Sequence, residues 1–123
     1  MIIQFYSKEQ FDILAPEGEL NAISLNSELK PLVDQSLCNH RNLILDFSQC
    51  ETNECIHSEQ LSIWKNDFDA QKLSFVICGA KSDLKKLLLD VSQSLNIQYA
   101  PTQVEAIDIV SMEIIERELL DDF

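Results

Sequence analysis

Short apolar runs along the chain predict β-strands. Two of them, Ile2–Tyr6 and Phe11–Ala15, are separated by the polar residues Ser7–Gln10 and predict a hairpin. Pro16 and Gly18 predict the end of the second strand, because proline cannot donate to a strand ladder and glycine adopts unusual backbone dihedrals. The chain is therefore expected to open with two antiparallel strands.

Three later runs predict the rest of the sheet. Leu43–Phe47 has little polar alternation, which is typical of a central strand covered on both faces. Leu73–Cys78 predicts another buried strand, closed by Gly79, and Ile97–Ala100 predicts a short last strand.

Amphipathic stretches between these runs predict helices. The first covers Ser24–Asn39, and Pro31 within it indicates a late helix start or a kink. The second covers Ser58–Gln71, and the third, Asp83–Leu95, is expected to have Ser82 as its cap. The apolar residues predicted to face the core on the second helix are Leu61, Ile63, Trp64 and Phe68.

The last helix begins at a capping-box pattern, Thr102–Glu105, and extends to about Leu120. At 100° per residue it has two apolar faces. One consists of Ile107, Val110 and Ile114, and the other of Met112, Ile115 and Leu119. The second face is either part of a wide core-facing stripe or an exposed strip that binds a partner or a second copy of the chain.

Strands alternate with helices from Phe11 onward, and this order predicts right-handed crossovers and a mainly parallel sheet. The opening hairpin makes the sheet mixed. We expect an α/β fold with four to five strands, about four helices and an extended C-terminal helix. The length of 123 residues predicts one domain over residues 1–123.

The formal net charge of −12 makes nucleic acid and membrane surfaces poor partners and favours a basic protein surface. No apolar run reaches the roughly 18 residues needed to cross a bilayer, and Met1–Phe11 lacks the basic start of a signal peptide. A cytoplasmic location is expected, with the cysteines as free thiols. They are Cys38, Cys50, Cys55 and Cys78.

The sequence contains no recognisable catalytic motif, so we expect neither enzymatic activity nor a cofactor. Only two glycines are present, too few for a P-loop or a dinucleotide fingerprint. An alternative is a metal or redox site that uses Cys55 and His57, with Cys50 nearby. Their spacing matches no zinc motif.

Five segments together resemble the STAS domains, the sulphate-transporter and anti-sigma-factor-antagonist family. In chain order they are Gly18–Asn21, Asn26–Leu29, Asn42–Ser48, Leu73–Gly79 and Val104–Ile107. The resemblance covers nearly the whole chain and implies a STAS-like fold. It also implies a non-catalytic, protein-binding regulator of bacterial transcription that acts by partner switching. The implied partner is an anti-sigma factor or a related kinase-like regulator.

STAS antagonists are phosphorylated on a serine at the start of the helix that follows the central strand. Counted without gaps from Asp46, that motif falls on Glu54–His57, and the serine position is Ile56. Isoleucine cannot accept phosphate, so we predict no phosphorylation at the usual position. Ser58, two residues on, is either a helix N-cap or a displaced phosphosite.

The predicted contact surface is the loop from Cys50 to Gln60 with the start of the following helix. Its acidic side chains would complement a basic partner. The residues predicted to bind the partner are Glu51, Glu54, Cys55, Ile56, His57, Ser58 and Glu59.

Overall fold

The computed structural model describes residues 2–21, 24–51 and 59–121. In these ranges six strands form one sheet in the order β1-β2-β3-β5-β6, and the short β4 pairs with the end of β2. β1 is antiparallel to β2, and the other pairings are parallel. The strands are β1 Ile2–Ser7, β2 Phe11–Glu19, β3 Asn42–Asp46, β4 Gln49–Glu51, β5 Phe75–Cys78 and β6 Gln98–Ala100.

Four α-helices connect or follow these strands in the described ranges. They are α1 Lys30–Cys38, α2 Glu59–Ala70, α3 Ser82–Leu95 and α4 Gln103–Asp121. The predicted fold class is confirmed: the sheet is mixed and mainly parallel, and the last helix is long, at 19 residues. The sheet has one strand more than the four to five predicted. The additional strand is the short β4, which lies off the main path of the sheet.

The sequence predicted that β2 ends at Pro16, but the strand continues to Glu19. Its first half pairs with β3 through Phe11–Leu14, and its last residues, Glu17–Glu19, pair with β4. Pro16 lies between these two pairings, where a missing amide hydrogen interrupts no paired position on that side of the strand. The strand therefore bridges two partners that are separated in sequence.

The first helix starts later than Ser24. A π-helical segment, Ser24–Leu29, leads into α1, and Pro31 lies in the first turn of α1. Proline is tolerated there because the first amides of an α-helix have no intrahelical partner. The late start is thus confirmed. In α3, Ser82 is the first helical residue, and Lys81 takes the N-cap position predicted for Ser82.

The sheet is covered on both faces, as the apolar run of β3 predicted. Leu43 and Leu45 pack in the core shared with α1, α2 and α3, whereas Ile44 packs in the core beneath α4. On the first face, Phe75 stacks on Phe68 at 5.2 Å between ring centroids. Ile63 does not join this core, contrary to the prediction, since its side chain is 53% exposed.

Candidate partner-binding site

The predicted contact surface, Cys50–Gln60, begins within β4 and finishes in the first turn of α2. Glu51, the last residue of β4, and Glu59, the first residue of α2, are both exposed. Glu54, Cys55, Ile56, His57 and Ser58 lie outside the described residues, and so does any capping role of Ser58. The Glu51 carbonyl accepts a hydrogen bond of 2.7 Å from the Leu20 amide, which fixes the first end of the segment to the sheet.

Cys50 is not part of an exposed surface, contrary to its place in the predicted loop. It is buried in the core, and its thiol donates to the Pro16 carbonyl oxygen at 3.2 Å. Burial, together with the nearby charges of Asp46 and Glu17, raises the pKa of the Cys50 thiol to about 12. A thiol held this strongly in its neutral form is a poor nucleophile.

Asp46 organises the carboxyl end of β3, next to the predicted contact segment. The side chain is nearly buried, and its Oδ1 accepts the Ser48 amide hydrogen at 2.9 Å. Oδ2 accepts a hydrogen bond of 2.9 Å from Nε2 of Gln103, the first residue of α4. One carboxylate therefore connects the turn after β3 with the start of the last helix.

Gly79 closes the same end of the sheet in a conformation that side chains rarely adopt, with φ of +79°. A β-carbon there would meet Asp46 Oδ1 at 2.6 Å and the Ser48 β-carbon at 3.2 Å. The Phe47 amide donates to the Cys78 carbonyl at 2.9 Å, which continues the β3–β5 pairing past the strand ends. The turn after β3 is thus closely packed against the end of β5.

The thiols of Cys38 and Cys78 differ in their exposure to solvent. Cys78 is fully buried, and burial with the Asp46 charge raises its pKa to about 12, whereas Cys38 is exposed. Across residues 2–21, 24–51 and 59–121, no three His, Cys, Asp or Glu side chains are grouped so as to hold a metal ion. Cys55 and His57, the residues of the metal alternative, lie outside these ranges, so that alternative stays a prediction.

The two apolar faces of α4 have different surroundings. Ala106 and Val110 are buried against the sheet, with Ile107 and Ile114 partly buried beside them. On the other face the exposed fractions are 61% for Met112, 54% for Ile115 and 56% for Leu119. These three residues do not belong to a wide core-facing stripe.

A groove of about 740 Å³ lies at the amino ends of the parallel strands, opposite the end that carries Asp46. The sequence did not predict this groove. Arg117 donates from Nη2 to Asn42 Oδ1 and to Ser74 Oγ, each at 3.1 Å. His40, at the rim, has a positive φ of 58° and lies 3.1 Å from Gln71 Oε1 through Nδ1. Pattern analysis missed these residues because they are far apart in the sequence.

No protein-family model matches the chain, and the comparison with curated proteins finds no match. Solved structures do match. A Thermotoga maritima protein assigned as an anti-sigma factor antagonist is 16% identical, with a TM-score of 0.75 over 89% of this chain and 94% of its own. A serine-to-glutamate variant of RsbS from Moorella thermoacetica is 16% identical, with a TM-score of 0.64 over 89% and 94%.

The anti-sigma factor antagonist SpoIIAA matches in two states. The unphosphorylated form is 12% identical, with a TM-score of 0.66 over 89% of this chain and 98% of its own. The phosphorylated Bacillus form is 13% identical, with a TM-score of 0.64 over 89% and 99%. The chain therefore has the STAS-like fold of these proteins. Among its described helices, none combines the length and the apolar character needed to cross a membrane.

Proposed function

We propose that this chain is a non-catalytic regulatory module that binds another protein, in the manner of an anti-sigma factor antagonist. The observation that supports this most is the shared fold over 89% of the chain with proteins described as such antagonists. The partner contacts the segment between β4 and α2, and β4 itself follows the turn held by Asp46 and Gly79. Its chemistry is association, without bond formation.

Charge gives the contact its selectivity. Glu51 and Glu59 are exposed at the two ends of the segment, and the whole chain carries a net charge of −12. Complementary charges on two surfaces raise the association rate and reject wrongly charged partners. The partner therefore presents a basic surface, as an anti-sigma factor or a kinase-like regulator of that type would.

The switch by phosphorylation is altered in this chain. Position 56, which corresponds to the modified serine of the family, is an isoleucine and has no hydroxyl group. The module thus either binds constitutively or is controlled through its partner, with Ser58 as the nearest residue that has a hydroxyl group.

Charge reversal with a purified partner tests the contact surface. The partner is first isolated by cross-linking and co-purification, and its Kd is then measured for Glu51→Lys, Glu59→Lys and the control Asp90→Lys. Asp90 is exposed on α3, outside the predicted contact surface, and its reversal changes the net charge equally. We expect each segment variant to weaken binding by about tenfold and Asp90→Lys by less than about twofold. Equal losses for all three would show general attraction and reject the proposed surface.

Intact-mass analysis tests the altered switch. The wild-type chain and Ser58→Ala are incubated with ATP and the purified partner, and phosphate is counted by mass spectrometry. We expect no stoichiometric phosphate on either chain. Phosphate on the wild type that is lost in Ser58→Ala would instead identify Ser58 as a displaced phosphosite.

A further inference from the structure

α4 carries a continuous exposed strip along its outer side, which we call the outer face. It consists of Val104, Asp108, Met112, Ile115 and Leu119. Spacings of four, four, three and four residues keep these positions on one side of an α-helix. At 1.5 Å per residue the strip is about 22 Å long. Four of its five side chains are apolar, and each of these is more than half exposed.

The charges around the outer face are all of one sign. Asp108 lies within it, and Glu105, Glu116 and Glu118 flank it, all exposed. Arg117, the one basic residue of α4, lies half a turn away at 100° per residue. Its guanidinium is hydrogen-bonded to Asn42 and Ser74 on the sheet side of the helix. The outer face therefore presents an apolar strip bordered by carboxylates, and no basic residue of α4 lies beside it.

This pattern disfavours two occupants. A second copy of the chain would bring the same carboxylates against each other, and like charges at a contact are destabilising. The strip is also small for a dimer: about 22 Å by roughly 10 Å is far less than the ~800 Å² that each partner usually buries. An anionic bilayer would be repelled by the same acidic residues.

We propose that the outer face binds an amphipathic helix of a partner protein that carries lysine or arginine beside its apolar stripe. Apolar residues at helical spacing match the ridge of a second helix packed along α4, and the flanking bases would pair with the four carboxylates. This surface lies on the opposite side of the sheet from α2, which packs in the other core. The module would then hold two proteins at once, one at the segment between β4 and α2 and the other on α4.

A designed peptide tests the proposal directly. The probe is a helical leucine–lysine peptide with apolar residues at i, i+3, i+4 and i+7, and its control is a scrambled peptide of the same composition and charge. Binding is measured by fluorescence anisotropy, and the contact is mapped by amide chemical-shift changes. We expect a Kd of about 1–100 μM for the amphipathic peptide, in the range of small interfaces, and shifts centred on α4.

Two variants locate the contact and one controls for it. Ile115→Asp and Asp108→Lys are each expected to weaken peptide binding by about tenfold or more, one through lost apolar contact and the other through charge. Leu89→Asp, at an exposed apolar position of α3, is expected to change it less than about twofold. All three positions are exposed, so the fold should survive, which circular dichroism checks.

Four results would overturn the proposal. The scrambled peptide could bind equally well, or the shifts could fall outside α4. Sedimentation could show a dimer that Ile115→Asp disrupts. Vesicles of phosphatidylglycerol could bind the wild-type chain but not the Ile115→Asp variant. None of these results depends on Glu51 or Glu59. A negative result here would therefore leave the proposed function intact, and a negative result there would leave this proposal intact.

Discussion

Asp46 and Gly79 lie so close together that residue 79 has no room for a side chain. A β-carbon at position 79 would be 2.6 Å from Asp46 Oδ1, and the backbone there has a φ of +79°. The same carboxylate accepts hydrogen bonds from the Ser48 amide and from Gln103. The turn that leads to the proposed contact segment therefore depends on a glycine from the neighbouring strand.

The first prediction concerns Gly79→Ala. It combines a disfavoured dihedral with a clash against Asp46, so we expect it to lower the free energy of unfolding by about 2–4 kcal/mol in urea denaturation. Gly18→Ala is the matched control, because Gly18 also has a positive φ, of +114°, but nothing lies within 4 Å of its added β-carbon. It should cost only about 1–2 kcal/mol. If the two variants were equally destabilised, the contact with Asp46 would be irrelevant.

The second prediction concerns Asp12, which is buried in β2. Its carboxylate accepts from Ser36 Oγ at 2.7 Å and Ser7 Oγ at 2.8 Å, and lies 3.3 Å from Arg41 Nε. Replacing it with asparagine removes the charge and leaves Arg41 without its ion pair. We expect Asp12→Asn to lower the free energy of unfolding by about 2–4 kcal/mol.

Asp34→Asn is the control for Asp12→Asn. Asp34 pairs with Lys30 at 2.8 Å on the surface of α1, where both side chains are about half exposed. Exposed pairs contribute at most about 0.5 kcal/mol, so this variant should unfold almost like the wild type. A loss as large as that of Asp12→Asn would mean that burial does not determine the strength of these interactions.

The third prediction is a loss of stability at alkaline pH. The pKa values of Cys50 and Cys78 are raised from an ordinary value of 9.0 to about 12, so the unfolded chain releases these protons first. Their contribution is complete below pH 9 and falls as the pH rises towards 12. The loss is at most about 1.4 kcal/mol per pH unit for each thiol.

Urea denaturation between pH 8 and 10.5 measures this effect. The Cys50→Ala/Cys78→Ala double variant should be less stable at pH 8, because of lost packing, and should lose stability more slowly above pH 9. Parallel decreases for the variant and the wild type would show that the two thiols do not contribute.

The fourth prediction separates the thiols by reactivity. Cys38 is exposed at the end of α1, whereas Cys50 and Cys78 are buried and neutral. Brief treatment with iodoacetamide at pH 8, followed by peptide mapping, should modify Cys38 and leave Cys50 and Cys78 unmodified until urea is added. Rapid modification of Cys50 in the folded chain would show that β4 opens readily.

Local patterns in the sequence determined most of the elements. The apolar run of β3 predicted its burial on both faces, and the spacing of Met112, Ile115 and Leu119 placed them away from Ile107 and Val110. Thr102 also caps α4 as its motif predicted, since its Oγ1 accepts the Glu105 amide hydrogen at 3.3 Å. These features depend on backbone periodicity and on neighbours within one or two turns.

Only the tertiary structure decided the contacts between distant residues. β4 has three residues, too few for a periodic signal, and its pairing with Glu17–Glu19, together with that of β1, carries β2 past Pro16. The Asp46–Gln103 hydrogen bond spans 57 positions and the Arg117–Asn42 bond spans 75. No local pattern encodes such pairings, because they arise only after the strands and helices have packed into a particular topology. The sequence therefore determined the strands, the helices and most of their buried positions, whereas the packed fold exposed Ile63, buried Cys50 and decided which distant residues meet.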